Sequence, residues 1–86
     1  MLRISRSDSA NSTSFLLEGK LLEPWLDELR EAIARVASPR AVVLDLSGLS
    51  FIDAPAAVML ATLKRSGTCL ESPSPLVAAL IAAAIG

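Results

Sequence analysis

Residues 41–46 read Ala-Val-Val-Leu-Asp-Leu, with four apolar side chains in succession and Ser38 and Pro39 just upstream as a break. This run constrains the fold more than any other feature of the chain. Strict alternation of apolar and polar residues would place one face of a strand in water. An uninterrupted, β-branched run predicts instead a strand covered on both faces, hence an inner strand running parallel to a neighbour.

The segments around it supply that sheet and its cover. Leu2 and Ile4 alternate with Arg3 and Ser5, and Phe15 and Leu17 lead on to Gly19 and Leu21, with the polar stretch Ala10–Ser14 between them. The pattern predicts two antiparallel strands joined by a hairpin. Glu23 and Pro24 then open a helix, with Leu26, Leu29, Ile33 and Val36 on one stripe. Asp27, Glu28, Arg30, Glu31 and Arg35 take its other face, and Glu31 and Arg35 are spaced as an i,i+4 pair. After the central strand, Ser47–Asp53 reads as a connection. A second helix follows over about Pro55–Ser66, opened by Asp53 and closed by Lys64, Arg65 and Gly67, the order that the helix dipole favours. Thr68–Glu71 fits one short strand. Ser74 and Pro75 cap a last helix whose Leu76, Val77, Leu80, Ile81 and Ala84 are expected to face inward. The expected fold is a single α/β domain over residues 1–86, a small mixed four-stranded sheet with about three helices in the order β-β-α-β-α-β-α.

Chemistry is narrowed by what the chain lacks. With no histidine there is no Ser-His-Asp or Cys-His arrangement and no imidazole metal site. The lone Cys69 cannot form an internal disulfide or a structural zinc site, and beside Leu70 it reads as a buried thiol. Asp45 and Asp53 flank one predicted loop, where paired carboxylates could be sought, but Asp45 reads as a ligand for backbone amides. Gly48 has no phosphate-loop partners. No cofactor or metal is expected, and the chain is read as a non-enzyme. Eight basic against nine acidic residues, without a run of one sign, argue against nucleic acid as a partner. The polar start at Met1–Ser14 lacks the apolar core of a signal peptide, and the apolar run Leu76–Ile85 is too short to span a bilayer, so a cytoplasmic protein without a membrane span is expected.

One stretch is more specific. Val42–Leu60, VVLDLSGLSFIDAPAAVML, resembles the central motif of STAS domains, the modules named for sulphate transporters and anti-sigma factor antagonists. In that family a strand V-x-x-D-L-S leads through F-[IMV]-D-S-[ST]-G into a helix, and a hydroxyl at the helix start accepts phosphate. Leu16–Arg30 is similar, more loosely, to the family's second strand and first helix. The resemblance implies a signalling module that binds a protein partner, such as a serine-kinase anti-sigma factor in transcription regulation, and is released by phosphorylation. Here Phe51, Ile52 and Asp53 match, whereas Ala54, Pro55 and Ala56 replace the polar residues, so Pro55 stands at a degenerate acceptor position. The family's aspartate before the first helix aligns with Leu22. A domain without phosphoserine switching is therefore expected.

Its partner surface is expected at the start of the second helix, Asp53, Ala54 and Pro55, joined by Leu22, Glu23 and a partly exposed Trp25 from the adjoining segment. Tryptophan is enriched at interface hot spots but also packs in cores. Two other roles fit the residues: a STAS subunit supporting an ABC ATPase in lipid transport, and a small-ligand or lipid carrier, suggested by the apolar last helix. Alanine on that helix's outer face, and a short fourth strand, would also suit contact with a second copy in a homodimer.

Overall fold

The computed structural model describes residues 2–36 and 41–85; the predicted break at Ser38 and Pro39 lies outside them. The chain forms β1 (Leu2–Asp8), β2 (Ser12–Leu21), a 3-10 turn (Glu23–Trp25), α1 (Leu26–Ala34), β3 (Ala41–Ile52), α2 (Ala54–Arg65), β4 (Cys69–Glu71) and α3 (Pro75–Ile85). Strands lie in sheet order β1-β2-β3-β4. β1 and β2 form the antiparallel hairpin, and β3 runs parallel to both β2 and β4. The α/β order, four strands and three helices agree with the sequence pattern. The first helix differs in detail: Glu23 and Pro24 open a 3-10 turn, and the α-helix proper begins at Leu26. Its ion pair joins Asp27 to Arg30 at 3.0 Å, and no Glu31–Arg35 pair is seen among the described residues.

Each strand is laid down on the same side of the one before it. Two successive crossovers of one hand then place their helices on one face of the sheet. The burial pattern agrees. Phe15 and Leu44 are register partners, Leu44 and Leu70 likewise, and Phe15, Leu17, Leu44 and Leu46 are buried in one core. That core is completed by Leu26 and Leu29 of α1, by Ala56, Ala57, Met59, Leu60 and Ala61 of α2, and by Val77 and Ile81 of α3. On the opposite face Ser14, Leu16, Val43 and Asp45 are only half-buried, and Cys69 and Glu71 are exposed. Two expectations are thereby corrected. The run 41–46 is inner by pairing but covered on one face only, and Cys69, placed on the open face by its register with Val43, is not a buried thiol.

The predicted connection Ser47–Asp53 is also corrected, because β3 continues to Ile52. Leu46, Leu49 and Ile52 are all buried, a spacing of three that a regular strand of period two cannot bury on one face. The ladder solves this with two irregularities. Leu16 to Glu18 on β2 faces Asp45 to Gly48 on β3, and Gly19 to Lys20 faces Leu49 to Phe51, so β3 carries one extra residue at each place. Both glycines are needed there. A side chain at Gly48 would put its Cβ 2.8 Å from the Leu17 carbonyl oxygen, and Gly19 holds φ at 98°.

The helix ends follow local rules. At the C-terminus of α2 the Thr68 amide donates to the Leu63 carbonyl and the Gly67 amide to the Lys64 carbonyl. Gly67 at φ 106° makes this left-handed stop, which turns the chain straight into β4. Ser74 caps α3, its hydroxyl accepting from the Val77 amide at 3.2 Å. Leu76 is 51% exposed, against the expectation that it faces inward, while Leu80 and Ala84 are half-buried. α3 packs against α2, with Val77 and Ile81 buried in the core and Leu80 and Ala84 partly buried against it. Among the described residues no helix is long and apolar enough to cross a membrane.

Candidate functional site

Asp53 stands between the end of β3 and the start of α2 as the N-cap of the helix, and both of its carboxylate oxygens are engaged. Oδ1 accepts the Ala56 amide at 3.0 Å, capping the helix, and Oδ2 accepts the Glu23 amide at 2.8 Å, thirty residues away in the 3-10 turn. The Asp53 amide donates to the Leu21 carbonyl, carrying the β2–β3 pairing one step beyond the strand. Both expected segments thus meet at one end of the sheet: Leu22, Glu23 and Trp25 beside Asp53, Ala54 and Pro55. Ala54, Pro55 and Glu23 are exposed, Trp25 is 37% exposed, and Leu22 and Asp53 are half-buried.

Two large apolar side chains beside this group were not singled out from the sequence. Phe51 is 40% and Val58 56% exposed. With Ile52, Ala54, Ala57, Leu80, Ala83 and Ala84 they line an apolar groove of about 440 Å3 between α2 and α3, with Asp53 at its end. Pro55 and Val58 also border a second groove, with Arg30, Met59, Thr62 and Leu63. The sequence held a signal for Val58. It falls on the outer face of α2 with Pro55, Thr62 and Arg65, where a helix packed by its other side would carry a polar residue. Phe51 was visible only as part of the motif, because its outward direction depends on the second irregularity in β3.

The same extension of β3 separates the two acidic residues that a short loop would have brought together. Eight residues of extended chain put Asp45 and Asp53 on the order of 20 Å apart, so they form no carboxylate pair. Asp45 holds its own strand. Its Oδ1 accepts the Ser47 amide at 2.9 Å, and that bond, together with the Ser47 hydroxyl, keeps the Asp45 carboxyl below its ordinary value. Ser50 donates its hydroxyl to the Gly19 carbonyl at 3.2 Å, bridging the ladder at its irregular point. Neither serine lies at the start of α2. Among the described residues no group of three or more His, Cys, Asp or Glu side chains could hold a metal ion.

A comparison with curated proteins gives no match. The family model described as STAS domain matches residues 7–84, from the end of β1 into the last turn of α3. The match takes in the whole of β2, β3, α2 and β4 and the junction built around Asp53. On that coverage, the chain belongs to the STAS domain family, a family of protein-interaction and regulatory modules.

Proposed function

We propose that this protein is a non-enzymatic docking module of the anti-sigma factor antagonist type, binding its partner through the start of α2 and the adjoining 3-10 turn without phosphate control. The observation that carries the reading is the surface around Asp53. Exposed apolar side chains stand on the elements that Asp53 joins: Phe51 and Val58 line one groove, Pro55 and Val58 border another, and Trp25 belongs to the turn whose Glu23 amide is held by Asp53. Aromatic residues such as Trp25 and Phe51 are enriched at protein interfaces, and tryptophan is among the residues that dominate their energetics. In a phosphate-switched relative the residue at the Pro55 position would carry a hydroxyl at the electropositive helix start. Ala54, Pro55 and Ala56 have none, so a docked state here has no covalent release at that place. The absence of histidine and the separation of Asp45 from Asp53 support a role without catalysis.

The test is a calorimetric titration with the serine-kinase anti-sigma factors of the same genome. Wild type is expected to bind one of them, and Pro55→Asp to bind at least about tenfold more weakly. Asp at this exposed first-turn position suits the helix dipole, so thermal stability should move by less than ~1 kcal/mol. With kinase and ATP, mass spectrometry should find no phosphate on residues 54–56. Stoichiometric phosphate on Ser47 or Ser50 would mean that the switch has shifted along β3. Binding to an ABC ATPase of a lipid-transport system in place of the kinases would overturn the antagonist role, and full affinity of Pro55→Asp would remove this surface from the interface.

A further inference from the structure

The two oxygens of Asp53 do different things. Oδ1 caps α2 through the Ala56 amide, a service that asparagine or serine performs as well. Oδ2 reaches the Glu23 amide at 2.8 Å, and this is a tie between elements distant in sequence. Glu23 opens the turn whose Trp25 amide donates back to the Leu22 carbonyl at 2.9 Å, so the position of Glu23 sets that of Leu22 and Trp25 together. The turn has no side-chain cap of its own. An ionised carboxylate is the one side chain of this size that offers two acceptors and no donor. Helix capping alone does not call for aspartate here; the second bond does.

We infer that Asp53 is a positioning residue for the docking surface: its Oδ2 locks the Leu22–Trp25 turn against the start of α2 and so holds the two halves of the patch in one preformed arrangement. The inference rests on the docking role proposed above and adds the reason for the carboxylate. A surface ordered before contact loses less conformational freedom on binding, and affinity then depends on the tie as well as on the contacting side chains. Asp53 itself is half-buried and committed to backbone amides, so it acts through the turn and not by touching the partner.

Asp53→Asn tests this. It keeps one acceptor and replaces the other with an NH2 donor, so one of the two amides must face a donor. Helix capping is expected to keep the oxygen on Ala56. By NMR of the full chain, amide exchange at Ala56 should stay close to wild type and that at Glu23 should accelerate several-fold. The emission of Trp25, the sole tryptophan, should shift with it. Affinity for the kinase partner should fall about tenfold, the loss expected for a hydrogen bond to a charged acceptor. Asp53→Ala should accelerate both amides, and Asp53→Glu should not restore the Glu23 bond with the cap intact. The inference is overturned if Glu23 exchange and Trp25 emission are unchanged in Asp53→Asn, or if Glu23 is released while affinity stays at the wild-type value. Failure of the docking role is distinguishable. In that case Pro55→Asp binds like wild type, and the exchange at Glu23 still decides whether the tie exists.

Discussion

Gly48 lies where β3 passes closest to β2, and alanine at this position tests the irregular ladder directly. The added Cβ would stand 2.7 Å from Glu18 Cγ, 2.8 Å from the Leu17 carbonyl oxygen and 3.2 Å from Glu18 Cα. Optimal carbon contacts lie near ~3.5–4.0 Å, so Glu18 Cγ and the Leu17 oxygen must retreat by the better part of an ångström and Glu18 Cα by a few tenths. The Glu18 side chain can turn away. The Leu17 carbonyl and Glu18 Cα cannot, because they belong to a strand paired on both sides, with β1 and with β3. Overpacking against backbone of this kind costs about 2–3 kcal/mol. For a domain of this size that corresponds to a fall in Tm of roughly 10–20 °C. Gly67→Ala is the matched control. Nothing lies within 4 Å of a Cβ there, but φ is +106°, so the cost is conformational and close to ~1 kcal/mol. Asparagine, which tolerates the left-handed region, should recover part of the loss at Gly67 and none at Gly48. Chemical denaturation of the four variants separates the two mechanisms. A Gly48→Ala protein within ~0.5 kcal/mol of wild type would refute the close approach of β3 to β2, and with it the explanation for burial of Leu46, Leu49 and Ile52 on one face.

The one-sided sheet makes adjacent positions of β3 respond differently to charge. Leu44→Asp should cost more than ~3 kcal/mol or prevent folding, whereas Val43→Asp, on the half-open face, should cost about 1 kcal/mol; equal losses in thermal melts would mean that both faces are covered. Asp45 should contribute a pH-dependent increment of stability. Its folded-state pKa is depressed from 3.8 by the Ser47 amide and hydroxyl, so the increment is present above the unfolded value and is lost as pH falls through the folded one. The Tm difference between wild type and Asp45→Asn should therefore be largest near neutrality and shrink below about pH 4; a difference constant across that range would show that the hydrogen bonds to Ser47 do not favour the ionised form.

Much of the fold is local chemistry written in the chain. The alternation of Leu2 to Ile4 and Phe15 to Leu21 marks the hairpin, the stripe Leu26, Leu29, Ile33 gives α1, and Asp53 and Gly67 bracket α2, because capping and left-handed stops depend on neighbouring residues alone. The stretch Val42–Leu60, with its strand, the FID at 51–53 and the helix that follows in order, likewise points to the STAS domain family. Which surfaces meet is not local chemistry. An apolar run signals burial but not from how many sides, and the number of covered faces on β3 follows from the sheet order β1-β2-β3-β4, which sends both crossovers to one side. Residues 47–52 look like a loop because serine and glycine interrupt a spacing of three, and only pairing with β2 turns the two surplus residues into bulges. Cys69 and Leu76 are apolar enough for a core but are exposed where register and helix rotation leave them outside. The candidate site divides in the same way. Asp53 as a helix cap was legible from its position before Ala54 and Pro55, since a cap needs only the next few amides. Its second bond to Glu23 required the two ends of a thirty-residue separation to be brought together, which pairing of β2 with β3 does, and the groove beside Phe51 and Val58 required α3 to pack on α2; no local pattern records either.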